Sequence, residues 1–241
     1  MANSNWHPLR LVSTASGLCL FALLLLSFTT GANQQHFEVV LAPQVYASDL
    51  LAQATGLKWI VALDDVFIAC YVTVSILFAS QLTGPSANAL RLWIVGMGVA
   101  AGVLDFVENH HILAMLHQAQ AGGVPDMGHL ILRENLSTLK WLLGHTAFFL
   151  VGFCIPTPTL WHRLFQLALL FVQLPVGALA LTVQDPVWTP VWHLARLVNV
   201  LARSALLAER LEADNGRIAR IILVSTAAAF LTFSGAVSLM T

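Results

Sequence analysis

Long apolar stretches alternate with short polar ones along the whole of this chain. A helix crosses the hydrocarbon core of a bilayer with about 20 mostly apolar residues, and each apolar stretch is close to that length. We therefore predict an all-α fold, a polytopic membrane helical bundle of about seven transmembrane helices, in a single domain over residues 1–241. The predicted spans are residues 11–29, 59–82, 90–116, 130–155, 160–183, 191–211 and 218–240.

Three stretches leave room for more than one interpretation. Residues 33–56 interleave apolar side chains with polar ones such as Glu38, and Pro43 interrupts them. This pattern predicts amphipathic helices at the membrane interface, either as a lid or packed on the bundle. Residues 191–211 are the least apolar span, and whether they cross the membrane stays open. Residues 1–32 fit a first transmembrane helix better than a cleaved signal, which is the alternative.

The composition supports a membrane protein. Hydrophobic residues make up 58% of the chain and charged residues only 10%, whereas soluble domains carry about 25% charged residues. The net charge of −1 gives no reason to expect nucleic acid as a partner. Lys and Arg are concentrated in the connections that face the cytoplasm if the N-terminus does, so we predict that the N-terminus is inside.

Ionisable side chains interrupt three consecutive predicted spans at similar depth. Asp64 and Asp65 lie in the second span, Asp105 in the third, and Lys140 and His145 in the fourth. Because successive spans run in opposite directions, all of these positions fall in the outer half of the membrane. Ionisable groups at the bilayer centre cost roughly 2.5–3.5 kcal/mol each on insertion scales, and they are usually paired and functional. Their convergence therefore predicts a site.

Helical spacing sharpens this prediction. Asp105, Glu108 and Asn109 follow an i, i+3, i+4 pattern, so they share one face of the third helix. Lys140 supplies an opposite charge that keeps a neighbouring acid ionised. The catalytic candidates of this buried network are Asp105, Glu108, Asn109, Lys140 and Asp65. The substrate-binding candidates are Tyr71, Asp64, His145 and Trp141.

The same residues have simpler interpretations. Polar groups in neighbouring helices often form a structural clasp without any chemistry. Lys140 lies in the tripeptide Leu139-Lys140-Trp141, which repeats Leu57-Lys58-Trp59. Lys and Trp near a helix end are ordinary anchors at the membrane interface. An anchor role for Lys140 therefore stays open beside its role in the network.

The sequence requires no cofactor, and the identity of any cofactor stays unknown. There is no HExxH motif or other spaced histidine pair, so metal binding is only possible, with His111 and His145 as weak metal candidates. A b-type haem needs two axial histidines at one depth on facing helices. Only His145 with His193 or His111 meets that requirement, which disfavours haem.

Three short motifs in the second to fourth spans resemble a pattern found in a family of uncharacterised, mostly bacterial multi-pass membrane proteins. The resemblance carries no known activity. It implies an integral protein of the bacterial inner (cytoplasmic) membrane. The motifs are Asp65-Val66-Phe67-Ile68-Ala69-Cys70-Tyr71, Asp105-Phe106-Val107-Glu108-Asn109 and Lys140-Trp141.

These residues lead us to expect a membrane-embedded enzyme for an amphiphilic or lipid-like substrate. Asp105 or Glu108 would be the acid or base, and Asn109 would orient a carboxylate or polarise a substrate oxygen. One alternative is a proton-coupled transporter or channel that uses the same acids. Another is a non-catalytic subunit that docks on a larger membrane complex. The expected partners are membrane lipids, a small amphiphilic substrate and either a second copy or a membrane-complex partner.

Overall fold

Every secondary-structure element in the described part of the chain is a helix. A computed structural model describes residues 6–82, 87–154 and 160–171. The elements are α1 (Trp6–Thr30), a 3-10 helix (Gln34–Glu38), α2 (Pro43–Ala52), α3 (Ala54–Ser80), α4 (Ala87–Gln120), α5 (Met127–Gly152) and α6 (Leu160–Phe171). The predicted all-α class is confirmed for these residues. The predicted spans at 191–211 and 218–240, the second half of the span at 160–183, and His193 lie outside the described residues.

Three of the helices are long and apolar enough to cross a membrane. They are Leu11–Thr30 within α1, the whole of α3, and Asn88–Gln120 within α4, with mean hydropathies of 2.2, 2.1 and 1.7. Large apolar side chains such as Phe21 and Trp93 are exposed on their outer faces. Such faces suit contact with lipid tails, which are as apolar as the side chains themselves. The described helices are therefore those of an integral membrane protein.

The helices pack in an order that follows the chain. Helix α3 packs between α1 and α4, α4 packs between α3 and α5, and α6 packs on α5. The contact of α3 with α4 is close because small residues line it. A Cβ added to Gly98 would lie 3.0 Å from Ser75, and one added to Gly102 would clash with Val72. This close approach brings Tyr71 of α3 beside the next turn of α4.

Residues 31–53, here called the strap, cover the end of the bundle where α1 and α4 end and α3 and α5 begin. Gly31 ends α1 with a φ of 68°, a left-handed conformation that favours glycine. The Asn33 backbone N–H donates to Gln53 Oε1 at 2.8 Å, which joins the two ends of the strap. His36 Nε2 lies 2.8 Å from Asp49 Oδ2 across its middle. The strap contains the 3-10 helix and α2, and it packs on the bundle.

The apolar core lies under the strap. Its strap residues include Phe37 and Tyr46, whose rings meet edge to face with centroids 5.2 Å apart. The core consists of Phe37, Tyr46, Leu50, Leu57, Val61, Ile112, Met115, Leu116 and Leu130. These side chains come from the strap, α3, α4 and α5. Burial of apolar area therefore holds the strap against the ends of three helices.

The close contact of α3 with α4 predicts a difference between two glycines of α4. We expect Gly102→Ala to lower the free energy of unfolding by about 1–3 kcal/mol, because the added methyl overpacks the contact with Val72. Gly96 is the matched control, since a Cβ there meets nothing within 4 Å. Gly96→Ala should be neutral or stabilising by up to about 1 kcal/mol. Thermal unfolding of both variants in detergent measures this, and equal melting temperatures would contradict the close contact.

Candidate functional site

Lys140 is the centre of a buried charge network. Its Nζ lies 2.7 Å from Glu108 Oε2, 3.0 Å from Asp105 Oδ1 and 3.2 Å from Glu38 Oε1. An ammonium group carries three N–H donors, so each donor has one carboxylate to meet. The predicted contacts of Lys140 with Asp105 and Glu108 are present. Lys58, in the identical tripeptide on α3, is exposed instead, so the repeated sequence has two different environments.

Arg133 is the second cation of the network and lies on the buried side of α5. Its Nη2 lies 3.2 Å from Glu108 Oε1. Its Nε donates to the Phe37 carbonyl at 2.6 Å, and its Nη1 donates to the Glu108 carbonyl at 2.8 Å. The side chain is only 1% exposed. A buried guanidinium is tolerated only when it is paired and hydrogen-bonded, and here it joins α5 to both α4 and the strap.

The strap is held to the network by polar contacts as well as by its apolar side chains. Glu38 meets Lys140 with one oxygen and accepts from Trp141 Nε1 at 3.0 Å with the other. The Phe37 carbonyl also accepts from the Tyr46 hydroxyl at 3.3 Å. Burial raises the pKa of Tyr46 to about 12, so this phenol stays protonated and remains a donor at neutral pH.

Asp105 lies on the partly exposed side of the network. Its Oδ2 accepts from the Tyr71 hydroxyl at 3.1 Å, while its Oδ1 faces Lys140. The Asp105 side chain is 14% exposed, whereas the Glu108 side chain is 0% exposed. Glu108 lies between Lys140 and Arg133, with one oxygen toward each. The two acids that share a face of α4 therefore differ in access: only Asp105 is reachable.

Asn109 holds the two acids of α3 together. Its Nδ2 donates to Asp64 Oδ2 and to Asp65 Oδ1, each at 2.9 Å. Its Oδ1 accepts from Gln34 Nε2 of the strap at 2.6 Å. The amide has two N–H donors and one carbonyl, and all three are engaged. This arrangement fits the expected role of orienting a carboxylate and leaves Asn109 no N–H free to polarise a substrate oxygen.

Carboxyl groups outnumber cations in this network. The carboxyls are Glu38, Asp64, Asp65, Asp105 and Glu108, and the cations are Arg133 and Lys140. Full ionisation would leave a surplus of three negative charges. An apolar surrounding tolerates unbalanced charge poorly. Asp64 and Asp65 are partly exposed, so water can stabilise part of this surplus, while three carboxyls face two cations in the ion pairs of Lys140 and Arg133.

The predicted histidines each face another aromatic ring. His145 is 2% exposed, and its ring faces that of Trp141 with centroids 6.1 Å apart. His111 faces His129 instead. Across residues 6–82, 87–154 and 160–171, no group of three or more His, Cys, Asp or Glu side chains is arranged to hold a metal ion.

Three members of the network were not predicted as site residues: Gln34, Glu38 and Arg133. A signal existed for Arg133, because Arg133, Ser137 and Lys140 follow an i, i+4, i+7 pattern, and all three are buried in α5. The other candidates predicted on α5, Trp141 and His145, have an i, i+4 spacing of their own. Gln34 and Glu38 offer no local signal, since only the path of the strap places them on α4 and α5.

The Lys140 pairing predicts non-additive substitutions. Lys140→Met should be severely destabilising, by about 3–5 kcal/mol, because it leaves buried carboxylates without a counter-charge. Adding Asp105→Asn should make the double variant milder than Lys140→Met alone. A double-mutant cycle on the free energy of unfolding measures the coupling. Lys58→Met is the matched control and should have little effect. Additive losses would contradict the pairing.

Comparisons with protein-family models, with curated proteins and with solved structures found no match to this chain. The function of the site must therefore be inferred from the residues that form it.

Proposed function

We propose that the protein is a membrane-embedded enzyme that acts on an amphiphilic or lipid-like substrate, with Asp105 as the group that transfers the proton. The surplus of carboxyl groups is the observation that carries this proposal. A structural clasp needs about one acid for each base, and an acid without a cation weakens it. Acid–base catalysis, in contrast, needs a carboxyl group that can gain and lose a proton.

Access assigns different roles to the two acids of α4. A general acid or base must come within hydrogen-bond reach of the substrate, and Asp105 is the acid of this pair that is partly exposed. As a base, Asp105 would take a proton from water or from a substrate hydroxyl. The Lys140 ammonium and the Tyr71 hydroxyl would hold its two oxygens. Glu108, fully buried between two cations, would be a positioning residue that fixes Lys140.

Asp64 and Asp65 would complete the polar side of the substrate site. Both are partly exposed, and Asn109 fixes one oxygen of each. Their remaining oxygens are available to bind hydroxyl or amine groups of a headgroup. The exposed apolar faces of α3 and α4 would take the acyl portion. This division suits an amphiphile, whose polar and apolar parts need different surroundings.

The finer architecture belongs to the same proposal. The chain would have seven spans with its N-terminus in the cytoplasm, in a bacterial inner membrane. The network would then lie in the outer half of the bilayer. A lipid-like substrate would enter from the outer leaflet beside the strap, which covers the site. Opening would require the Glu38 contacts with Lys140 and Trp141 to separate.

A comparison of matched carboxyl variants tests the enzyme. The protein, reconstituted in nanodiscs with a bacterial total lipid extract, is assayed by mass spectrometry for lipids that it converts. Asp105→Asn should lower the conversion rate by about 10²–10⁴-fold, the range of general acid–base catalysis, a loss larger than any fall in its melting temperature explains. Asp49→Asn is the control, since Asp49 lies on the strap outside the network and asparagine can still contact His36.

Two results would overturn the catalytic role of Asp105. One is full conversion by Asp105→Asn. The other is a loss of conversion that follows the melting temperature in every network variant, Glu108→Gln included, because that would indicate a structural clasp. A wild-type protein that converts no lipid of the extract would exclude the lipid-like substrate class represented there.

A second candidate is a proton-coupled transporter or channel. The observation that favours it is a continuous series of polar contacts from Tyr71 through Asp105 and Lys140 to Glu38. Such a series joins α3, α4, α5 and the strap, as a proton relay would. Proteoliposomes with a trapped pH dye distinguish this candidate, because proton flux lost in Asp105→Asn without lipid conversion would replace the enzyme. Co-purification with a stoichiometric partner would favour the remaining alternative, a subunit of a larger complex.

A further inference from the structure

A pair of histidines joins α4 to α5 near the connection between them. His111 Nε2 of α4 lies 3.2 Å from His129 Nδ1 of α5. The other ring nitrogen of His129, Nε2, lies 3.4 Å from Asp126 Oδ2. The His129 side chain is 52% exposed and that of Asp126 is 70% exposed. None of these three residues takes part in the ion pairs of Lys140.

We propose that His111 and His129 bind one divalent transition-metal ion, such as Zn²⁺, between His111 Nε2 and His129 Nδ1. Two imidazole nitrogens that bind one tetrahedral zinc at about 2.0–2.1 Å are roughly 3.3–3.4 Å apart. The observed separation of 3.2 Å is shorter by only a few tenths of an ångström. Such an ion lies to one side of the line that joins the two nitrogens, so the exposed His129 ring would turn for its lone pair to face the ion.

Asp126 prepares His129 for this role. A metal-binding histidine usually donates its second ring N–H to a carboxylate, which fixes the ring and its tautomer. Asp126 Oδ2 lies 3.4 Å from His129 Nε2 without the geometry of a hydrogen bond, so the exposed ring would turn slightly to make that contact, while Asp126 Oδ1 accepts from the His129 backbone N–H at 3.1 Å and caps α5. With the proton of His129 on Nε2, its Nδ1 presents a lone pair toward His111.

The proton count of the binding step balances without an outside reactant. In the metal-free pair, the tautomer of His129 with its proton on Nε2 makes His111 Nε2–H the donor to His129 Nδ1. On binding, that proton moves to His111 Nδ1, and both facing nitrogens bind the ion with no net proton release. His111 Nδ1 is buried without a hydrogen-bond partner among the described residues. This cost makes the site weaker than a closed structural zinc site.

Only two protein ligands reach the ion within the described part of the chain, so water completes its coordination. Imidazole ligands suit Zn²⁺, Cu²⁺ and Ni²⁺ rather than Mg²⁺ or Ca²⁺. Binding would cross-link α4 to α5 at the end of the bundle. Because the ion binds the folded protein, it should also raise the melting temperature as its concentration rises. This site is independent of the proposed enzyme function.

Zinc titration of the full-length protein tests the proposal. The protein is purified in detergent without a polyhistidine tag, and Zn²⁺ binding is followed by calorimetry and by the melting temperature. One ion should bind per chain, and His129→Ala should abolish that binding and the thermal shift. Asp126→Asn keeps an N-cap residue but should weaken binding by about 10–100-fold, as loss of a supporting carboxylate does.

His117→Ala is the matched control, because His117 is an exposed histidine on α4, the helix that carries His111. It should leave both the affinity and the thermal shift unchanged. Since His129 is exposed, His129→Ala should fold even if His111→Ala does not. Unchanged Zn²⁺ binding in His129→Ala, an equal loss in His117→Ala, or no saturable binding by the wild type would each overturn the site.

Discussion

The pairing of the Lys140 ammonium is the constraint on which this structure depends. An unpaired ammonium buried among apolar helices is costly, so carboxylates must pair with it. Asp105 and Glu108 of α4 and Glu38 of the strap do so. These contacts fix the rotation of α4 against α5 and the position of the strap over both. A helical bundle packed only by apolar contacts would allow several rotations, since lipid tails and apolar side chains are equivalent neighbours.

The strap connects the site to the apolar core through adjacent residues. The Phe37 side chain lies in the core, while its carbonyl accepts from Arg133. The next residue, Glu38, belongs to the charge network. Movement of the strap would therefore expose apolar surface and separate ion pairs together. A variant in the network changes stability and access at once, which is why activity must be compared with the melting temperature in every case.

The sequence predicted the described helices and most of the network, because both depend on local spacing. The third span was expected at 90–116, and α4 runs from Ala87 to Gln120. The helix is longer than the apolar run because backbone hydrogen bonding continues into the flanking polar residues. Asp105, Glu108 and Lys140 were found from helical spacing and depth. Glu38 was not, since it lies 102 residues from Lys140 in the chain and only the tertiary path of the strap brings them together.

The arrangement of the acids favours binding of a proton or a polar group from outside the network. Asn109 places Asp64 and Asp65 against one amide group, although two carboxylates so close repel each other when both are charged. A clasp gains nothing from this repulsion. A site that binds a proton or a polar headgroup does gain from the repulsion, because the incoming group relieves it. Glu108, fully buried between Arg133 and Lys140, provides the rigid support that keeps these acids in place.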